Sequence, residues 1–361
     1  MLNTNFDAQA DNLTNEKAGF DYKKLDTYCG YFYEDDLLLK SASGGAAAAI
    51  SEAIIKMGGC VFGATYSKDF YRAEYMCAET FEDLNKLKGS KYCETSKEIV
   101  SDGTARNVFE VLAEKLDQNI YVLFTGLGCD VAAAKSYCAA KHINTDKLYT
   151  VEILCHGPTT AEVHKQYIKN LEKEYNSKII DFTVRYKKKG WTPSYIRAVF
   201  KNGDVYEIPF YESDYGFAFD RLIRQPCFHC NFRGDNHKGD ITVGDFWGLT
   251  DSMKNWNKNG VSIIFVQTEK GKKLIDLIDK AKFHISPADT EFALRYNTNY
   301  FTCRSMPADY ELFAKNLKEY GLHYAVQHAP IGLKARIKKI LKAILPLWAI
   351  NALKNILEGK L

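Results

Sequence analysis

The chain has 361 residues, 46% of them hydrophobic and 26% charged, the composition of a globular protein long enough for one large domain or two smaller ones. A net charge of +3 is too small to argue for nucleic acid as a partner. No stretch approaches the roughly 20 apolar residues of a membrane-spanning helix, and the polar opening residues hold no secretory leader, so a cytoplasmic location is expected.

Residues 1–27 read as a flexible lead-in. The run from Tyr28 to Tyr33 is strand-like. Ser43-Gly44-Gly45 opens a helix from Ala46 that Gly58-Gly59 stops, and Cys60–Tyr66 is the next strand. Over 105–117, Val108, Val111, Leu112 and Leu116 share one helical face. Residues 119–126 form an apolar strand that runs into Gly126-Leu127-Gly128-Cys129, followed by a helix over 130–141. The strand 148–154 ends in Cys155-His156-Gly157-Pro158, and 161–175 is helical again. Strand–helix–strand with apolar strands predicts a parallel sheet covered by helices. The pattern then alternates over 178–186, 195–210 and 240–246, with Asn202-Gly203 as a hairpin signal, and predicts an antiparallel region. Residues 260–268 and 270–281 return to strand and helix. The fold class expected is mixed α/β: a parallel-strand core with covering helices plus an inserted antiparallel region. The last thirty or so residues are basic and amphipathic, interrupted by Pro346. They read either as a terminal helix packed on the body or as a peripheral membrane or partner contact.

Ten cysteines in a chain of expected cytosolic location point to thiolate or metal chemistry rather than disulfides. Cys60, Cys77, Cys93, Cys138 and Cys303 lack ligand-like spacing and read as small buried hydrophobes. Cys227-Phe228-His229-Cys230 is a CxxC that follows Pro226 and leads into loop, which favours a metal over a thioredoxin-like dithiol. Cys129 and Cys155 each follow the C-terminal end of a buried strand, and in an open parallel sheet those ends gather along one edge. Cys129 also starts a helix, whose positive end stabilises a thiolate. Spacing alone leaves several readings open. They are one four-cysteine site at 129, 155, 227 and 230, a zinc site that enlists His229 or His237, and a Cys155 nucleophile beside His156 as base.

At these residues the chain resembles the coenzyme F420 hydrogenase/dehydrogenase beta subunit family, iron–sulfur flavoprotein reductases whose relatives include plant and cyanobacterial reductases of chlorophyll intermediates. The resemblance runs from about Tyr28 to about Lys282. It is carried in order by Ser43-Gly44-Gly45, Gly89-Ser90-Lys91-Tyr92, Thr125 to Asp130, Cys155-His156-Gly157-Pro158, Arg185 through Gly190-Trp191, Cys227 to Cys230 and Asp240 to Gly248. It implies a 4Fe-4S cluster on Cys129, Cys155, Cys227 and Cys230, and a bound FAD. The usual Thr-Pro-Cys-Gln run reads Leu127-Gly128-Cys129-Asp130 here. The ferredoxin-like segment that precedes the core in many relatives is absent from this sequence, so electrons are expected from a separate donor such as a ferredoxin. Nothing identifies F420 as a partner. Bacterial relatives in surface-polysaccharide gene sets imply a small organic, sugar-related acceptor.

The resemblance divides the chain into the lead-in (1–27), an N-terminal, flavin-binding part of the core (28–117), a C-terminal part carrying cluster and flavin (118–290) and a helical tail (291–361). Flavin contacts are expected at Ser43, Gly44, Gly45, Ser90, Lys91, Tyr92, Gly126, Asp245 and Trp247. Ser43-Gly44-Gly45 before a helix offers backbone N–H groups to a phosphate, and reads equally as a helix cap. Lys91 and Tyr92 offer a cation and a stacking ring, or a solvated lysine beside a core tyrosine. Asp245 suits a ribose or a flavin edge, and Phe246 and Trp247 suit either a ring slot or the core. The basic run Arg185, Lys187, Lys188 and Lys189 reads as a solvated face, or as a dock for an anionic substrate or acidic ferredoxin. His156 is the candidate proton donor, or a hydrogen-bonder behind the ligand. The activity expected is an FAD- and 4Fe-4S-dependent oxidoreductase. The alternatives are an electron-transfer subunit of a larger redox complex and a zinc-bound scaffold without redox chemistry.

Overall fold

The computed structural model describes residues 25–330. The first half of the main body holds β1 (Asp26–Phe32), α1 (Asp35–Lys40), α2 (Ala46–Lys56), β2 (Cys60–Tyr66), β3 (Ala73–Ala78), α3 (Phe81–Leu87), β4 (Thr95–Ser101), β5 (Thr104–Asn107) and α4 (Val108–Asp117). There follow β6 (Val122–Leu127), α5 (Gly128–Ala140), β7 (Leu148–Ile153), α6 (Ala161–Glu174), β8 (Ile179–Tyr186), β9 (Tyr195–Phe200), β10 (Val205–Pro209) and α7 (Asp214–Phe219). The body closes with β11 (Ile241–Asp245), β12 (Ser262–Val266), α8 (Glu269–Leu277), β13 (Phe283–Pro287) and α9 (Thr290–Tyr296). From Pro307 the chain forms a separate unit, which holds α10 (Tyr310–Tyr320) and α11 (Leu322–Gln327). The amphipathic tail beyond residue 330 and most of the lead-in lie outside the described residues. Among the described residues no helix is long and apolar enough to cross a membrane.

Ten strands form one mixed sheet in the order β13-β1-β12-β11-β7-β6-β2-β3-β4-β5. Its centre, β11-β7-β6-β2, is parallel throughout. These strands are apolar on both faces because both faces are covered. Val61, Leu123, Val151 and Ile264 point into a core with Ile50 and Ile54 of α2 and Leu274 of α8. Their neighbours Phe62, Val122, Phe124 and Leu148 point the other way, onto Leu112 of α4 and Val131 and Ala134 of α5. Ile263 and Phe265 pack on that same side with Ala293 and Leu294 of α9. Each buried aliphatic side chain contributes about 1.5–3 kcal/mol on the usual area scale.

The expected parallel core with an inserted antiparallel region is what the chain builds. β8, β9 and β10 form a separate antiparallel sheet, turned at Asn202-Gly203. One segment falls elsewhere. Residues 240–246, expected in the antiparallel region, supply β11 to the main sheet, parallel to β7 and antiparallel to β12. Their alternation arises because Thr242, buried on the polar side of the pattern, accepts from Gln267 Nε2 at 2.8 Å inside the protein rather than facing water.

Helix starts are satisfied locally. Thr80, Asn107, Ser213, Thr268 and Asp289 each accept a backbone N–H of the first turn of the helix that follows. α2 has no side-chain cap from its own N-terminus. Ser262 of β12 reaches across instead, and its Oγ accepts from Gly45 N (3.1 Å) and Ala46 N (3.3 Å).

Candidate functional site

Because β6, β7 and β11 run parallel as neighbours, their C-terminal ends lie along one sheet edge. Cys129 sits in the first turn of α5 directly after β6, and Cys155 two residues past β7. The loop that carries Cys227 and Cys230 is stitched across this edge. Arg224 N donates to Pro158 O at 3.1 Å, and Thr159 Oγ1 donates to Leu222 O at 2.7 Å. Gly157, at φ +117°, brings its backbone so close that a Cβ there would stand 3.2 Å from Cys227 Cβ. The result is one cavity lined by Cys129, Cys155, Cys227 and Cys230 together with Glu152, His237, Arg224 and Arg233. Among the described residues no three His, Cys, Asp or Glu side chains close on a single point as one metal ion requires. The four thiols stand around a space instead.

One backbone donor and three basic side chains partly offset the burial of the cavity's thiols. Gly157 N donates to Cys155 Sγ at 3.1 Å. Burial pushes Cys155 up to about 12 and Cys129 up to about 11, while Arg233 acts against the first shift and Lys97 and Arg224 against the second. Burial likewise raises Cys227, opposed by Arg224. Arg233 also ties the loops together. Its Nη1 donates to Cys155 O at 2.5 Å and to Asn299 O. Glu152, in an otherwise apolar strand, accepts from Lys238 N (2.7 Å) and Gly239 N (3.0 Å) and pairs with His237 Nδ1 (2.6 Å). Glu152, Arg224 and Arg233 are the residues that the cysteine pattern does not reveal. The available signals are a single carboxylate inside β7 and two arginines flanking the CxxC.

His156 stacks on Phe219 at 4.6 Å, and Phe219 stacks on Tyr92 at 4.7 Å. Its Nδ1 faces Gly157 O at 3.1 Å, which can only accept, so Nδ1 carries the hydrogen and Nε2 is left to accept from Arg304. Burial, with Arg304 beside it, lowers His156 to about 4. The ring is thus a neutral hydrogen-bonder behind Cys155, with Arg304 held in turn by Asp220 at 2.7 Å.

A second group gathers at the end of β11. Arg185 donates from both arms to Asp245, each at 2.9 Å, and also to Tyr92 Oη (2.9 Å) and Ala42 O (2.8 Å). Trp191 Nε1 donates to Asp245 at 3.3 Å, and its ring stacks on Trp247 at 4.7 Å and 8°. Phe246 is core, whereas Trp247 keeps 38% of its surface exposed. Three segments of the family pattern, with Ala42 just before a fourth, therefore meet around one buried ion pair. The basic run is not a solvated face as a whole. Arg185 and Lys187 are buried, at 8% and 6% exposure, and Lys188 pairs with Glu207 at 2.5 Å. The charges were legible in the sequence, and their partners, in distant segments, were not.

The remaining candidates already have partners within the chain. Ser43 donates to Val261 O at 2.8 Å, and a Cβ at Gly44 would stand 2.0 Å from Gly30 O, so the glycine turn is pressed between β1 and β12. The Gly45 N–H donates to Ser262, as above. Lys91 caps α3, donating to Leu87 O (3.1 Å) and Lys88 O (2.9 Å), and burial lowers it to about 7. Gly126 pairs with Glu152 in the β6–β7 register, beneath the Tyr75 hydroxyl. Ser90 is half-buried beside Lys91.

No curated protein sequence matches the chain. In fold the chain is similar to a chain of the F420-reducing [NiFe] hydrogenase complex from Methanosarcina barkeri, with a TM-score of 0.50 and 17% identity over 76% of this chain and 89% of that one. Residues 121–291, which hold β6 through β13 and all four cavity cysteines, match the family described as the C terminus of the coenzyme F420 hydrogenase/dehydrogenase beta subunit. Over that segment the chain is similar to the coenzyme F420 hydrogenase/dehydrogenase beta subunit family.

Proposed function

We propose that the protein is an iron–sulfur flavoprotein oxidoreductase, with a 4Fe-4S cluster on Cys129, Cys155, Cys227 and Cys230 and an FAD beside it. The observation that carries this reading is the cavity: three chain segments deliver four thiols around one space. Thiols spaced around a space suit a polynuclear cluster better than a single zinc ion. The N–H of Gly157 on Cys155 Sγ and the guanidinium groups of Arg224 and Arg233 supply the hydrogen bond and positive charge that bound thiolates need.

For the flavin, Tyr92, Asp245 and Trp247 support the reading. Trp247 offers an exposed indole face held flat by Trp191, and Asp245 lies at the same sheet edge as Cys155. At 43–45, Ser43 Oγ and the Gly45 N–H are already used within the chain, so this turn adds less support. When bound, the two cofactors supply one-electron transfer and paired-electron chemistry, respectively. The chain itself orients the thiols through Arg233 and the Glu152–His237 pair, lines the cavity with Phe232, and holds Trp247 through Trp191 and Asp245. A separate electron donor and a small organic acceptor complete the proposal.

The test is anaerobic purification followed by iron, sulfide and flavin determination. About four irons, four sulfides and one flavin per chain are expected. A preparation free of iron and flavin contradicts the proposal.

A further inference from the structure

Cys303 carries no ligand-like spacing in the sequence, yet it lies beside the thiol cavity. It follows a segment that is fastened to the cysteine loop at three points. Arg233 donates to Asn299 O, His237 Nε2 meets Tyr300 O at 3.1 Å, and Cys303 Sγ donates to Cys230 O at 3.5 Å. Cys230 and Cys303 also share a second, open and polar concavity with Asn231, Arg233, Asp235, Asn236 and Phe301. The site is therefore asymmetric. Cys129 and Cys155 are fixed at the sheet edge. The Cys230 corner faces the open side, and it alone has a fifth thiol hydrogen-bonded to its backbone.

We propose that Cys303 is a reserve ligand, able to hold the iron that Cys230 holds. This rests on the cluster reading above. The exchange is not a redox step: Cys303 gives its proton to solvent and binds as thiolate, and the displaced Cys230 sulfur takes one up. The open concavity gives that proton a path.

The experiment compares the full chain, purified anaerobically, as wild type, Cys230→Ala, Cys303→Ala, Cys230→Ala/Cys303→Ala and Cys155→Ala. Iron and sulfide content, the electron paramagnetic resonance spectrum of the reduced protein and circular dichroism are read for each. The expected result is full iron in Cys303→Ala, at least half the wild-type iron in Cys230→Ala with shifted g-values, and near-complete loss in the double variant and in Cys155→Ala. Iodoacetamide labelling gives an independent readout. Cys303 is labelled in the wild type and protected several-fold in iron-loaded Cys230→Ala. Iron loss in Cys230→Ala as complete as in the double variant, with folding retained, overturns the inference. So does undiminished labelling of Cys303 in Cys230→Ala. Wild-type protein without iron would instead overturn the cluster reading, a result distinct from either.

Discussion

Arg185 and Asp245, sixty residues apart in sequence, form a two-armed ion pair with both N···O distances at 2.9 Å. The pair joins β8 of the small sheet to the end of β11 in the large one, and Tyr92, Ala42 and Trp191 complete its hydrogen bonds.

Breaking this pair leaves a buried, unmatched charge. Asp245→Asn is expected to cost about 3–5 kcal/mol. Arg185→Lys should cost nearly as much, because an ammonium cannot reproduce the fork that reaches Asp245, Tyr92 and Ala42 together. Urea unfolding followed by circular dichroism measures both. A loss under about 0.5 kcal/mol, the range of an ordinary surface change, would show that the pair is not structural.

Lys187 gives a pH dependence of known sign. Its Nζ donates to Leu38 O (2.8 Å) and Ser43 O (2.7 Å). Burial, helped by Arg185, lowers its pKa from 10.5 to about 7. Between those values the unfolded chain binds the proton and the folded chain does not. Stability from this group therefore rises with pH across the window, by about 1.4 kcal/mol per unit, and is flat below it. In Lys187→Met that slope disappears. Unfolding of both proteins at several pH values above 7 should show the difference moving in favour of the wild type as pH rises. A constant difference would mean that the amine titrates normally.

Gly128 stands where the resemblance implies a proline, and the cavity leaves no room for a side chain. A Cβ at this position would meet Glu152 Oε1 at 2.6 Å and Phe232 Cβ at 2.9 Å. Glu152 cannot swing away without releasing His237, Lys238 N and Gly239 N. Gly128→Ala is expected to destabilise by about 1–3 kcal/mol, as overpacking does, and to lower iron retention. Unchanged melting and iron content would show slack that the geometry does not have.

Thr268 holds α8 in two ways. Its Oγ1 accepts from Gly271 N at 3.1 Å and donates to Asp240 Oδ1 at 2.8 Å, while Asp240 Oδ2 accepts from Thr150 N and Oγ1. Thr268→Ala should cost about 1–2 kcal/mol, at the upper end for a lost N-cap, and Thr268→Ser much less. Equal losses in the two variants would place the effect on the methyl group rather than the hydroxyl.

Much of the scaffold could be read from the sequence because local pattern and final environment agree. Cys60–Tyr66 and Leu148–Ile153 are apolar on both faces and become central strands. Strand ends alone bring Cys129 and Cys155 to one edge, since parallel neighbours end together, whereas the loop of Cys227 and Cys230 joins them through contacts far along the chain. The failures share a cause. The alternation in β11 matched a half-exposed strand, but Thr242 finds Gln267 inside the protein. Arg185 and Lys187 look like surface charge until Asp245, Leu38 and Ser43, all far along the chain, meet them. Cys303 has no pattern of its own and reaches the site only because Arg233 and His237 fasten its segment. Long-range partners of polar side chains leave no local trace.

The most direct measurement is anomalous diffraction at the iron edge from crystals grown without oxygen. The expected result is one compact iron peak between the sulfurs of residues 129, 155, 227 and 230, resolving into four sites at sufficient resolution. A zinc-edge peak there, or no peak from a fully folded protein, would contradict the assignment of this sheet edge to redox chemistry.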